Sequence, residues 1–318
     1  MADSVADTMA DSAEHSGEPA CRTALVTGGT SGLGLAMATA LAGAGLRVAV
    51  AGRSGERAAE AAEPLPGAFG VELDVRDEDS VARAVETAWS RLDGIDLLVN
   101  NAGIGMRTVN PRFLTEPRGF WTVPPDGFRD VIATNLTGYF LVARAVVPRM
   151  LAAGHGRVVN ISVSDSTMTR AGFVPYGPSR AGTESLSRIM AADLRETPVT
   201  VNMLLPGGAT RTGMVPAEHA TGSAARPRSF LEPDIMGPPI VWLASAAASG
   251  VRDERIIAAE FVMRLRDNEL AGAAGTEGAD QAWGSSASAA SVTTGTALRS
   301  SSAASSADAP ITSRHRPA

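Results

Sequence analysis

A chain of 318 residues that is 44% apolar and 19% charged can bury one core of ordinary size, so a single folded domain is expected. Its net charge of −6 argues against nucleic acid as a partner, and one cysteine, Cys21, excludes an internal disulfide or a cysteine-rich metal cluster, in keeping with a reducing cytoplasm. No run approaches about 18 uninterrupted apolar residues, so no membrane span is indicated.

Residues 1–20 carry Asp3, Asp7, Asp11, Glu14 and Glu18 with almost no large apolar residue, and they read as a disordered segment without the basic start and apolar run of a signal peptide. Short β-branched runs then alternate with longer alanine-rich stretches, the pattern of βαβ units. Strands are expected at Thr23–Val26, Arg47–Ala51, Phe69–Leu73, Asp96–Val99, Arg157–Ile161, Val199–Leu205 and Arg255–Val262. Helices are expected at Leu33–Ala44, Glu56–Ala62, Ser80–Leu92, Asp126–Ala153, Ser179–Glu196 and Ile235–Ala248. Seven strands with interleaved helices describe an α/β fold, a doubly wound parallel sheet of Rossmann type, over residues 21–264. From Leu265 the chain turns to Ala, Ser, Gly and Thr with few apolar anchors, so residues 265–318 read as a disordered tail.

Between the first strand and the first helix lies Thr27-Gly28-Gly29-Thr30-Ser31-Gly32-Leu33-Gly34. The glycines let the backbone turn tightly and approach a pyrophosphate, which would rest on amide N–H groups at the helix start, with Thr30 and Ser31 as hydroxyl donors. By itself such a triplet is equally a tight strand-to-helix turn. Further along stand Asn100-Asn101-Ala102-Gly103, Thr134-Asn135-Leu136-Thr137-Gly138, Tyr176-Gly177-Pro178-Ser179-Arg180 and Pro206-Gly207.

Over about residues 21 to 262, these motifs in this order resemble the short-chain dehydrogenase/reductase family. The resemblance implies a nicotinamide-dependent Rossmann enzyme that interconverts small-molecule alcohols and carbonyls, usually as a homodimer or homotetramer. It implies that Gly28, Gly32, Leu33 and Gly34 hold the pyrophosphate turn. Asp74 and Val75 resemble the pair that holds the adenine ring, and Asn101, Ala102 and Gly103 the turn flanking the adenosine ribose and steadying the sheet. Asn135 matches the residue whose backbone anchors a water in the proton relay, and Tyr176 the general acid and base. Thr212, after Pro206 and Gly207, matches a contact to the nicotinamide amide or the phosphates. Asn100-Asn101 is also readable as a plain turn, and Thr212 as a helix cap.

Two departures fall on the catalytic centre. Where the family has Tyr-x-x-x-Lys, this chain has Arg180, and all 28 of its basic residues are arginine. A tyrosine hydroxyl needs a nearby cation to ionise towards neutral pH. Arg180 keeps the charge and spacing but passes no proton, since a guanidinium is effectively never deprotonated. The family's serine falls at Val163, thirteen residues before Tyr176. Ser162 and Ser164 flank it, and on a regular strand both would point away from where Val163 points. If the strand ends there, Ser164 is the candidate replacement.

After the second strand there is no acid before Glu56, and Arg53 could pair with a 2′-phosphate, which favours NADP(H) over NAD(H); the bland reading is an exposed loop arginine. Residues 104–127 look longer than the family usually has, with Phe113, Phe120 and Trp121 either lining a substrate pocket or pinning the loop, and the Gly208–Pro233 loop occupies the place of a mobile lid. Apolar lining would suit a hydrophobic substrate better than a sugar. The main expectation is a carbonyl/alcohol oxidoreductase using Tyr176; a redox-neutral enzyme on the same scaffold and a non-catalytic nucleotide-binding partner are the alternatives.

Overall fold

Runs of Val, Ile, Leu and Ala make one parallel sheet in the computed structural model, which describes residues 20–214 and 230–273. The strands are β1 (Thr23–Thr27), β2 (Arg47–Gly52), β3 (Phe69–Glu72), β4 (Leu97–Asn100), β5 (Gly156–Ile161), β6 (Val199–Leu205) and β7 (Arg255–Ile257). They pair in the order β3-β2-β1-β4-β5-β6-β7. Every residue of β1, β4 and β6 is buried, as a parallel sheet covered on both faces requires.

Successive strand residues face opposite layers. Val26, Val99 and Leu204 pack under α1 (Gly32–Gly43), which buries Met37 and Leu41, and against Ile240 and Leu243. Leu25, Leu98 and Val201 pack on the other side against α3 (Glu78–Leu92). Between β2 and β3 runs α2 (Gly55–Ala62), capped by the Ser54 hydroxyl, which accepts from the Arg57 amide. Cys21 lies in the first layer, and burial pushes its thiol up to about 11.

Strand order reverses between β1 and β4, so a crevice opens at their carboxyl ends, the usual place for a ligand in such sheets. The register puts Asn100 beside Asn160 there.

Five elements differ from the sequence expectation. The expected Asp126–Ala153 helix is interrupted: α4 (Pro125–Ile132) passes through a π-helical stretch, Ala133–Thr137, into α5 (Gly138–Ala153). Pro125–Ala153 is long and apolar enough to cross a membrane by composition, but Val131, Tyr139, Val142, Val146 and Met150 are buried within the fold. A four-residue turn, α6 (Asp165–Met168), follows β5, and α7 (Tyr176–Asp193) begins three residues earlier than expected. The helix expected at Ile235–Ala248 is shorter, α8 (Gly237–Ala244).

The expected strand Arg255–Val262 is corrected: only Arg255–Ile257 is strand, and α9 (Ala258–Ala273) starts at once. Ala258 and Phe261 are buried three residues apart, a helical spacing that the apolar run concealed. That helix also crosses the expected start of the disordered tail at Leu265. Residues 1–19 of the N-terminal segment, 215–229 of the lid loop and 274–318 of the tail lie outside the described residues.

Candidate active site

The glycine turn closes the end of β1. Gly28 is left-handed (φ 62°), and a side chain there would meet the backbone of Ala102. A Cβ at Gly34 would strike the Gly28 carbonyl and the Asn101 amide. Replacing Gly34 by alanine is therefore expected to weaken binding of any dinucleotide at this turn about tenfold or more and to lower the thermal unfolding midpoint, both read on one purified variant. Ser31 is the exposed N-cap of α1, and its side chain makes no cap hydrogen bond to the helix. Thr30 packs its methyl against Gly52, and Leu33 leans on the core. A helix start with unpaired amides beside a glycine turn is a ready anion site.

Asn101 holds that turn to β4. Its Nδ2 donates to the carbonyls of Thr27 and Gly28, both at 3.0 Å, and the Thr27 hydroxyl accepts from the Asn101 and Ala102 amides. Asn135 sits fully buried in the π-helical stretch. Its side chain pairs with both the amide (2.9 Å) and the carbonyl (3.0 Å) of Ile104 and donates to Ser179 Oγ, while its own carbonyl accepts from Thr183 Oγ1 at 2.9 Å. Gly103 lies between Asn135 and Arg180, and a Cβ there would strike Arg180 Nη2.

Tyr176 opens α7, half-buried, its ring edge-on to Phe173, which in turn meets Phe113. Arg180 is one turn further along the same face and is only 3% exposed. Its Cζ lies 5.4 Å from the centre of the Tyr176 ring and 5.6 Å from that of Tyr139. Nη1 donates to Tyr139 Oη at 2.9 Å and to the Ile161 carbonyl at 3.0 Å. Burial opposes the charge on this guanidinium, but the facing Tyr139 and Tyr176 phenols outweigh it and raise its pKa, so Arg180 is a fixed cation.

β5 ends at Ile161, so strand alternation does not extend to the serines. Ser162 is buried and donates to Glu184 Oε1 at 2.5 Å. Ser164 stands at the N-cap position of α6 without a side-chain cap bond, its hydroxyl 2.9 Å from Thr167 Oγ1 and 3.1 Å from Ser166 Oγ. Arg255 holds this loop from β7: Nη2 donates to the Val163 carbonyl at 2.8 Å, and Nε to Glu184 at 2.8 Å. Sequence reasoning missed Tyr139, Glu184 and Arg255. For two of them a signal existed, since Tyr139 stands four residues after Asn135 and Glu184 four after Arg180, each on the next turn of one helical face.

Arg76, whose Nη2 bonds Asp74 at 2.7 Å, depresses the Asp74 carboxyl, and the charge of the exposed Arg53 adds a smaller effect. Val75 is buried against Gly138, where α5 begins. Pro206 and left-handed Gly207 turn the chain after β6, and Thr212 then packs against Gly32. A cleft of about 460 Å³ opens between Gly32 and Leu35 on one side and Thr212 and Asp234 on the other. The open glycine turn, the uncommitted Ser31 side chain and this cleft fit the pyrophosphate half of a nicotinamide dinucleotide. Among the described residues no cluster of three or more His, Cys, Asp or Glu side chains could hold a metal ion.

Sheet order, glycine turn and tyrosine-cation helix define a Rossmann-type oxidoreductase. Residues 22–222 match the short chain dehydrogenase family, and the chain belongs to it. Its activity is accordingly NAD(P)-dependent interconversion of CH–OH and C=O. Over 191 residues it is 37% identical to a 3-oxoacyl (acyl-carrier-protein) reductase of Aquifex aeolicus, covering 58% of this chain and 73% of that protein. Over 226 residues it is 34% identical to the 1-deoxy-11-beta-hydroxypentalenate dehydrogenase of Streptomyces exfoliatus, covering 70% and 78%. Among solved structures, a gluconate 5-dehydrogenase from Burkholderia cenocepacia in complex with NADP and tartrate superposes with a TM-score of 0.65 at 30% identity, covering 74% of this chain and 92% of that one.

Proposed function

We propose that this protein is an NADP(H)-preferring carbonyl reductase or alcohol dehydrogenase in which Tyr176 is the general acid and base. The observation that carries this reading is the Arg180 guanidinium stacked 5.4 Å from the Tyr176 ring, beside Gly103 and the glycine turn. The nicotinamide supplies or accepts the hydride when bound. Tyr176 gives its proton to the developing alkoxide, or takes it in the reverse direction, and Arg180 stabilises the phenolate as a fixed charge. The proton that Tyr176 gives up is replaced from solvent, and Asn135 is assigned as the residue whose carbonyl, which accepts from Thr183, would anchor the water that delivers it. Ser164 is the hydroxyl offered to the substrate oxygen in place of Val163, at the expense of its bonds to Ser166 and Thr167.

Gly28, Thr30, Ser31, Gly32, Leu33 and Gly34 are assigned to the pyrophosphate, Asp74 and Val75 to the adenine, Asn101, Ala102 and Gly103 to the ribose turn, and Pro206, Gly207 and Thr212 to the nicotinamide side. Arg53 is assigned to the 2′-phosphate. A fluorescence titration should show micromolar binding of NADPH and weaker binding of NADH, and Arg53→Ala should weaken NADPH about tenfold while leaving NADH unchanged, as expected for one charge-assisted contact. Equal binding of the two nucleotides by the unaltered protein would remove the preference; no saturable binding of either would remove the oxidoreductase reading.

The substrate is assigned as hydrophobic. Phe120, Val123, Pro125, Phe128 and Val174, with Arg129 as the one charged residue, line a groove of about 300 Å³, and Val174 is two residues from Tyr176. Phe113 is buried and pins the loop, whereas Phe120 and Trp121 are 67% and 78% exposed, so the aromatics divide between the two roles the sequence left open. The active form is assigned as a cytoplasmic homodimer or homotetramer joined through α5 and α7, which expose Phe140 and Ile189.

A further inference from the structure

The chain has only two tyrosines, and both face the same buried arginine. The Arg180 side chain comes from α7 and enters the space between Tyr139 on α5 and Tyr176 on its own helix. The two rings lie at nearly equal distances from Cζ and both phenols act on the guanidinium, but Tyr139 acts more strongly and takes the 2.9 Å hydrogen bond of Nη1. Tyr139 is 1% exposed, and its hydroxyl in turn lies 3.4 Å from the Ile161 carbonyl, to which Arg180 also donates. Arg180 Nε is buried with no hydrogen-bond partner. The guanidinium is thus drawn to the inner phenol, and one of its donors is left unpaired, an arrangement that disfavours burial unless another contact compensates.

We propose that Tyr139 is a positioning residue that competes with Tyr176 for Arg180, holding the cation's hydrogen bond on the inner side and so limiting what the acid/base tyrosine receives. This rests on the reading of Tyr176 as the acid/base group. If the Tyr139 oxygen is removed while its ring is kept, Nη1 retains only the Ile161 carbonyl on the inner side, and Tyr176 is the remaining phenol that faces the guanidinium. Among the described residues a further charge near this cluster is Arg170, which lies over the Phe173 ring, 4.8 Å from its centre, on the loop before α7.

Because no other tyrosine is present, the near-ultraviolet absorbance of phenolate reads this cluster alone and needs no substrate. Tyr176→Phe assigns the two transitions in the otherwise unaltered protein. In Tyr139→Phe the single remaining transition, that of Tyr176, is expected at a pH lower by about one unit, the size of effect a closer opposite charge produces. In an Arg180→Met background the Tyr139→Phe change should no longer move it. An unchanged or raised midpoint in Tyr139→Phe overturns the proposal and leaves Tyr139 a packing residue. If Tyr139→Phe does not fold, Tyr139→Met is titrated instead; if neither folds, the role of Tyr139 is structural and the proposal fails. NADPH binding is measured on the same samples: a midpoint that moves in a protein that binds no nucleotide would retain the Tyr139 competition and discard the reductase reading, while intact binding with an unmoved midpoint would do the reverse.

Discussion

Replacing Tyr176 by phenylalanine is expected to lower kcat on a carbonyl substrate by about 10²- to 10⁴-fold, the range a positioned general acid supplies. Only the hydroxyl is lost. The ring keeps its edge-on contact with Phe173 and its place against the Arg180 guanidinium, so the fold and the NADPH titration should be unchanged. The loss should appear in kcat and in kcat/KM together, as it does when an interaction made only in the transition state is removed. A variant that retains full turnover with unaltered NADPH binding would show that the reaction does not run through this site.

The second large effect is a gain. Val163→Ser should raise kcat, but by less than an ideally placed donor to a developing oxyanion is worth, about 10²- to 10³-fold, because Ser164 already offers a hydroxyl at the expense of its own bonds. Two features of the structure make a gain the expected sign. Arg255 Nη2 holds the Val163 carbonyl, and Arg255 is itself fixed by Glu184, so the backbone that would present a new hydroxyl is already anchored. The neighbouring hydroxyls are engaged elsewhere, Ser162 with Glu184 and Ser164 with Ser166 and Thr167. The partner experiment is Ser164→Ala. If Ser164 serves the substrate oxygen, its loss should lower kcat in the unaltered protein and matter little once residue 163 is serine. No gain from Val163→Ser, with Ser164→Ala also neutral, would show that the carbonyl oxygen is bound without a hydroxyl from this loop.

The Glu184–Arg255 pair that supports this loop is mostly buried, with side chains 14% and 19% exposed. Removing Arg255 leaves the Glu184 carboxylate without its cation, at a cost of at most the value for a fully buried site, about 3 to 5 kcal/mol, whereas Arg255 without Glu184 still meets Asp165 at 3.1 Å. The loop carrying Val163 therefore owes its geometry to a charge pair that reaches it from β7 and α7.

The parts of this protein legible in its sequence are those that depend on near neighbours. Apolar runs of strand length gave six of the seven strands to within a residue or two, because a parallel sheet buried on both faces needs little beyond uninterrupted Val, Ile, Leu and Ala. The glycine turn was legible because φ > 0 at Gly28 and Gly32 is a local demand that glycine alone meets easily. Tyr176 and Arg180 share a helical face because they are four residues apart. Even there local reading had limits. Ile256, Ala258 and Phe261 fit a strand run as well as a helix start, and only the packing of Ala258 and Phe261 into the core decided for α9.

Tertiary structure alone decided what Arg180 does. Its short hydrogen bond is made to a tyrosine 41 positions earlier, and the Arg255 that steadies the Val163 loop reaches Glu184 across 71 positions. No periodicity encodes such partners; they meet because the strand order brings β5, β6 and β7 side by side. The same holds for the serines. The sequence left Ser162 and Ser164 as alternatives that depended on where a strand stopped, and the end of β5 at Ile161, followed by the cap of α6, turned one hydroxyl onto Glu184 and the other onto Thr167. The fold is written in local pattern because local sterics and burial fix it, and the reaction class was legible only through the family that the spaced motifs resemble, whereas the partner of Arg180 depends on which side chains the assembled sheet places together.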